Sequence, residues 1–224
     1  MSGEWEAMSF FRMGEERSLD TSSIFAIYTL TGNERMLQHL IQTILPDIDA
    51  ASMFIPQKVV YKRVQGKRRK EVRDLFPSYL FLRCSDPEQI FFELKSVPKL
   101  SNLLHDGDYN FVPLNEQEKN FMDMLCSLSL KELRQDKDEP ARLILPASLV
   151  SIVKRKDLQP GDISIARGNP DEALKVISGP LLKLAPYVTR IDYNNRKAIL
   201  DVDVFGVHNI HVGIRMQSDM RPGN

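Results

Sequence analysis

A turn at Gly66 constrains this chain more than any other feature. The segments "SMFIPQKVVYKR" before it and "EVRDLFPSYLFLRC" after it are rich in β-branched and aromatic residues, and "VQGKRR" between them reads as a hairpin tip. Two extended segments joined so closely lie antiparallel, with Pro56 marking an edge or a bulge in the first. Upstream, Ile24 to Leu30 form an apolar run that ends in a turn at Gly32. Met36, Leu37, Leu40, Ile41, Ile44 and Leu45 then recur at helical spacing until Pro46. Downstream, Asp86 and Pro87 open a helix that carries Ile90, Phe91 and Leu94 and stops at Pro98. "KLSNLLHDGD" reads as a short strand and a turn. Asn115 with Glu118 has the spacing of a capping box, opening a helix with Phe121, Met122, Leu125 and Leu128 on one side. The order strand, helix, hairpin pair, helix, strand, helix predicts an α+β domain over residues 23–130: a four-stranded antiparallel sheet flanked by helices.

Beyond Lys131 the composition changes. "KELRQDKDEPAR" is charged and aperiodic, which predicts a linker over residues 131–167, interrupted by the apolar "LILPASLVSIV". Residues 168–218 read as all β. "KVISGPLLKL" is a strand, a Gly179-Pro180 turn and a loop, and Asn194-Asn195 suits a hairpin turn because asparagine tolerates positive φ. After it Ala198, Leu200, Val202 and Val204 alternate with Lys197, Ile199, Asp201 and Asp203, the period of a half-buried strand. Closely spaced strands in about fifty residues predict a small barrel. Residues 1–22 and 219–224 read as flexible tails; a docking peptide built on Trp5, Phe10 and Phe11 is the alternative for the first.

No catalytic constellation emerges. His39, His105, His208 and His211 are scattered and lack carboxylate or cysteine partners at ligand spacing, so neither a metal nor a cofactor is expected. Gly32 stands alone before its helix without a phosphate-binding glycine pattern, and "HDGD" is a tight turn rather than a calcium loop. The expectation is a protein that is not an enzyme. Cys84 and Cys126 show no ligand spacing; with no signal peptide and no apolar run near twenty residues, the chain reads as a cytoplasmic monomer with reduced thiols and no membrane contact. Thirty basic residues balance thirty acidic ones, so an argument for an anionic partner must rest on local charge. One local excess qualifies. Between Lys58 and Arg73 stand eight Lys or Arg residues against the single acid Glu71. A solvated hairpin would look the same, yet the potential reaches about 10 Å and favours phosphates or an acidic protein face.

Several motifs together resemble a known family. "IFAIYTLTGNE" before a helix, "FIPQ", a basic hairpin, "LFPSYLFL" and "VPKLSNLLHDGDYNFVPLNEQE" resemble the N-terminal (NGN) domain of NusG-type transcription elongation factors. "ISGPLLKLAPYVTRIDYNNRKAILDVDVFG" resembles their C-terminal KOW domain. The "DGDYNFVPLNEQE" run is most similar to the specialised LoaP-type paralogue, a processive antiterminator. The resemblance implies an N-terminal domain that docks on the β′ clamp helices of RNA polymerase, bridges toward the β subunit and suppresses pausing. It implies polymerase-binding roles for Phe76, Tyr79 and Phe25, although Tyr79 and Phe81, two residues apart, would equally share a strand face as core. The basic hairpin of Lys62, Arg63, Lys67, Arg68, Arg69 and Lys70 would face polymerase or DNA. The KOW domain would contact a structured leader RNA or a partner protein through Lys175, Lys183, Arg190, Arg196 and Lys197.

Departures from the family pattern matter. Its usual Trp-Tyr in the first strand is Ile24-Phe25 here, and its usual "PGY" is Pro77-Ser78-Tyr79, tolerable unless the middle residue needs positive φ. Lys183 and Pro186 replace glycines in a loop that meets ribosomal protein or Rho in the housekeeping factor. The rival reading is a ribosome-associated or RNA-binding KOW protein that never touches polymerase. "LFPSYLFL" and the helix before it count against that rival.

Overall fold

The computed structural model describes residues 23–46, 48, 52–85, 90, 92–93, 111–132, 142–166, 168–204 and 206–220. The expected tail 1–22, residues 221–224 of the expected tail 219–224, most of the helix after Asp86, and the strand and turn through Asp108 lie outside those residues. Asp219 and Met220, expected in that last tail, belong instead to the 3-10 turn Gln217–Met220.

The N-terminal half contains β1 (Ser23–Tyr28), α1 (Glu34–Ile44), β2 (Met53–Phe54), β3 (Pro56–Val64), β4 (Lys67–Asp74), β5 (Tyr79–Cys84), β6 (Phe111–Pro113), α2 (Glu116–Leu128) and β7 (Leu130–Glu132). Strands in the order β2-β5-β1-β6 form the expected four-stranded antiparallel sheet. Its central strand is buried on both sides, which is why "IFAI" reads as a continuous apolar run and not as an alternation. Ile24, Ala26, Phe54 and Phe81 pack with Phe121, Met122 and Leu125 of α2. Ile27, Leu80, Leu82 and Met53 on the other side pack with Leu37 and Ile41 of α1. The capping box of α2 forms as read: Glu118 N–H donates to Asn115 Oδ1 at 2.9 Å, and Asn115 N–H donates to Glu118 Oε2 at 2.9 Å.

The segment expected as one strand from Glu71 to Cys84 is two. Leu75 to Ser78 form a turn between β4 and β5, and the β3–β4 hairpin leaves the first sheet for a second one, ordered β4-β3-β8-β7, where β8 is Arg142–Leu145. Ser78 makes the corner at φ +75°, the left-handed region where the family's glycine would cost nothing. Hydrogen bonds hold it there. Its carbonyl accepts from Thr29 N–H at 2.8 Å, its hydroxyl meets Thr31 Oγ1 at 2.6 Å, and its N–H donates to Glu34 Oε1 at 2.6 Å. The other oxygen of this buried carboxylate accepts from Gly32 N–H at 2.8 Å. Glu34 therefore ties the start of α1 to the corner that sets the hairpin's exit. Glu34→Ala should cost about 2 kcal/mol in urea unfolding, since it strands two backbone donors. A loss below about 0.5 kcal/mol would show that the bonds carry no weight.

The C-terminal half contains β9 (Ser148–Lys154), β10 (Ser164–Ala166), β11 (Glu172–Ser178), α3 (Leu181–Leu184), β12 (Val188–Asp192), β13 (Lys197–Leu200) and β14 (Ile210–Met216). Their order β10-β11-β9-β14-β13-β12 makes a nearly closed β barrel, as expected for a KOW domain. Buried Leu174, Val176, Ala198, Leu200, Val204, Val212 and Ile214 fill it. Three details differ from the sequence reading. Residues 142–145, 148–154 and 164–166, expected within the linker, are strands, and "LILPASLVSIV" serves both sheets: β8 pairs with β3 while β9 enters the barrel, with only Pro146 and Ala147 between them. The left-handed residue of the β12–β13 turn is Arg196 at φ +55°, not an asparagine, because Asp192 accepts from both Asn195 N–H (2.9 Å) and Asn195 Nδ2 (2.7 Å) and sets the turn's shape one residue earlier. The loop expected after Gly179-Pro180 is the single helical turn α3, started by Leu181 N–H donating to the buried Ser148 Oγ at 2.8 Å.

Candidate nucleic-acid and partner interface

The β3–β4 register turns the basic run into rungs. Lys58 lies opposite Arg73, Lys62 opposite Arg69, and Arg63 opposite Arg68. Directly opposed like charges destabilise an antiparallel pair, by a few tenths of a kcal/mol to about 1 kcal/mol each. Strand alternation places Lys58, Lys62, Lys67, Arg69 and Arg73 on one face and Arg63, Arg68 and Lys70 on the other. Lys62, Arg63, Lys67, Arg68, Arg69 and Lys70 are all exposed. Glu71 engages Arg73 through both oxygens at 2.9 and 3.1 Å. Among the described residues, no carboxylate lies within ion-pair distance of Lys62, Arg63, Lys67, Arg69 or Lys70. Three like-charged rungs with so little internal neutralisation leave the hairpin with a strong local positive charge.

Arg68 is the exception. Its guanidinium lies 3.6 Å from Asp219 Oδ1, in the 3-10 turn Gln217–Met220 that follows the barrel's last strand. Asp219 is first of all the partner of Arg196, which grips it with two hydrogen bonds of 2.9 and 2.8 Å. Burial works against the Asp219 charge, but the Arg196 hydrogen bonds and the charges of Arg196 and Arg68 hold its carboxyl below the usual range. Arg196 also donates to Tyr193 O at 2.6 Å, and its side chain is only 13% exposed. The guanidinium is therefore engaged at the β12–β13 turn, where the sequence reading expects an RNA contact. Lys175 is likewise engaged, 2.7 Å from Asp162 Oδ2. Lys183 on α3 and Arg190 on β12 are exposed, and Lys197 is half-buried.

The barrel and the hairpin touch where β14 meets β3. Gly213 lies so close to Val59 that a Cβ there would fall 2.1 Å from the Val59 carbonyl oxygen. Lys197 lies directly opposite Gly213 across the β13–β14 pair, and Ile199 opposite His211. Lys58, next to Val59, is brought into this cationic neighbourhood. Burial first, then the charges of Lys197 and Arg73, lower its ammonium from 10.5 to about 8, with Asp74 opposing. Burial also lowers the His211 imidazole, and Lys58 and Lys197 add to this while Asp192 opposes. The sign for stability follows. Below about pH 8 Lys58 is charged both folded and unfolded and its full cost is felt; between about 8 and 10.5 the unfolded chain binds more protons, so the cost fades as pH rises. Stability should therefore gain on going from pH 7.5 to 9.5, and Lys58→Met should remove that gain. An unchanged pH slope in the variant would assign it to another group.

The aromatic residues are placed differently from expectation. Phe76 is fully buried and packs edge-on to Phe81, with ring centroids 5.6 Å apart. Phe25 is buried too. As placed, neither ring offers a surface to a partner, because the Leu75–Ser78 turn folds Phe76 inward onto β5. Tyr79 is half-buried, and its ring lies 5.1 Å from that of Tyr28, leaving Tyr79 as the accessible member of the expected set. Burial raises the Tyr79 phenol, with a smaller contribution from Tyr28.

Among the described residues, no three His, Cys, Asp or Glu side chains group to hold a metal ion, and no helix is long and apolar enough to cross a membrane. Residues 23–123 match the family described as transcription termination factor NusG. The transcription termination/antitermination protein NusG of Pasteurella multocida (strain Pm70) is 23% identical over 154 residues, covering 69% of this chain and 68% of that one. Its counterpart in Haemophilus influenzae is 21% identical over 198 residues, covering 87% and 91%. A solved structure described as "Domain interaction in Thermotoga maritima NusG" covers 87% of this chain and 94% of that one, with 18% identity and a TM-score of 0.41. Through residues 23–123 the chain is thus similar to the NusG family of transcription termination factors.

Proposed function

We propose that the chain is a non-enzymatic antitermination factor that rides on elongating bacterial RNA polymerase, in the manner of the LoaP-type paralogue. The observation that carries this reading is the β3–β4 hairpin, whose like-charged rungs stand out from a NusG-type domain and seek an anionic partner. In an elongation complex that partner is DNA or RNA backbone beside the polymerase cleft. The N-terminal domain contacts the β′ clamp helices and reaches toward β, with the Tyr28–Tyr79 pair as its aromatic contact. Exposed Lys183 and Arg190, with Lys197 at the barrel edge, give the KOW barrel a basic surface for a structured leader RNA.

In a terminator read-through assay with purified polymerase, the chain should increase run-through. Lys62→Glu with Arg69→Glu should abolish the gain, and Tyr79→Ala should weaken polymerase capture while the fold is retained. Unaltered run-through in the charge-reversed variant would remove the hairpin from the mechanism. A chain that co-sediments with ribosomes and leaves run-through unchanged would favour the ribosome-associated alternative.

A further inference from the structure

The junction between hairpin and barrel holds a cluster of cations that the contacts so far do not explain. Lys58 and Arg73 form the rung at the hairpin base, and Gly213, seated on Val59, carries the barrel's edge against it. Side chains directly opposite share a face of a strand pair, so Lys197 faces the same way as position 213, and His211 lies two residues along on that face. Lys58, Lys197 and His211 are each half-buried. Among the described residues, none of the three has a carboxylate within an ordinary ion-pair distance. The nearby acids have partners of their own: Glu71, on the same hairpin face, engages Arg73 at 2.9 and 3.1 Å, Asp74 accepts from Gln57 Nε2 at 2.8 Å, and Asp192 accepts from Asn195. Gathering two half-buried lysine ammoniums beside an imidazole with no anion among them is costly, and a bound anion would relieve that cost.

We propose that this junction is a phosphate site, in which Lys58, Lys197 and His211 together hold one backbone phosphate of a single nucleic-acid strand. The strand continues along the same face of the hairpin past Lys62, Arg69 and Lys67 to the tip, a path of roughly 20 Å at the usual rise per strand residue. The hairpin and the barrel then act as one continuous binding track. This rests on the reading of the hairpin as a nucleic-acid surface. The barrel's position supports it, because β8 and β9, separated only by Pro146 and Ala147, tie barrel and hairpin into a fixed relation.

The test uses the full chain and a fluorescent 20-nucleotide poly(U) RNA, with affinity measured by anisotropy over a salt series. Lys58→Gln and Lys197→Gln should each weaken binding about fivefold and lower the salt slope by about 0.7, the share of one single-strand phosphate contact. Inorganic phosphate added to the free chain should raise the His211 titration midpoint followed by NMR, and Lys58→Gln should blunt that rise. Lys62→Glu with Arg69→Glu serves as the comparison. If it weakens binding while both junction variants bind as the parent does, the junction site is wrong and the hairpin reading stands. If no variant weakens binding, the hairpin reading fails and takes the site with it. A His211 midpoint indifferent to phosphate also overturns the proposal. Circular dichroism of each variant guards against loss of fold, and Lys58→Gln should pass because it removes a destabilising charge.

Discussion

Alanine at position 213 should force the barrel away from the hairpin. The Cβ it introduces would lie 2.1 Å from the Val59 carbonyl oxygen, 3.2 Å from its carbonyl carbon and 3.3 Å from Ala147 Cβ. Two of these atoms are backbone, and the strand they belong to is held on both sides by β4 and β8, so no side-chain rotation relieves the overlap. Overpacking of this kind costs about 3 kcal/mol when the surroundings cannot move. The barrel pairs its own strands independently of this contact, so the strain should be released by separation at the junction, with the barrel intact. Amide spectra of Gly213→Ala should therefore show large shifts around Pro56–Val60 and Pro146–Ala147, small ones in β12 and β13, and a lowered unfolding midpoint. Parent-like stability with undisturbed Val59 and Ala147 amides would mean that the close approach is not part of the protein in solution. The same variant separates the two halves of the phosphate track, so its RNA affinity should fall without the loss of any charge.

Much of this architecture was legible because its signals are local. The capping box at Asn115 and Glu118 and the helical spacing of Leu37 and Ile41 need only neighbours in sequence, and each formed as read; the alternation from Ala198 to Val204 formed a strand only as far as Leu200. The parts that differed depend on distant partners. "RLIL" and "SLVSIVK" are short and follow a charged stretch; they become strands because β3 and β14, far away in the chain, offer them edges. Serine does not by itself announce the positive φ of Ser78; only the glycine that the family pattern has at this position points to it. Arg196 looked like a loop cation, but Asp219, twenty-three residues later, turns it inward. The cationic junction was equally hidden, because Lys58, Lys197 and His211 meet only through the contact of β14 with β3.

The fate of the aromatic residues beside the basic run is decided by Phe76. Its ring is fully buried, set edge-on to Phe81 and within the cluster that includes Leu75, Phe81, Phe121 and Leu145. Truncating a phenylalanine so placed costs about 3–5 kcal/mol, because the transfer energy of the ring is lost and the surrounding rigid strands collapse only partly into the space. A domain of ordinary stability retains little after such a loss. Phe76→Ala should therefore lower the urea midpoint sharply and weaken polymerase capture only as a consequence of unfolding. Tyr79→Ala removes a half-buried ring at the rim and should cost less stability while weakening capture directly. The comparison is made at a temperature where both variants are folded by circular dichroism. Under those conditions Phe76→Ala should capture polymerase as the parent does, and Tyr79→Ala should not. The reverse result, a stable Phe76→Ala that fails to bind, would mean that the Leu75–Ser78 turn opens and presents this ring to the partner.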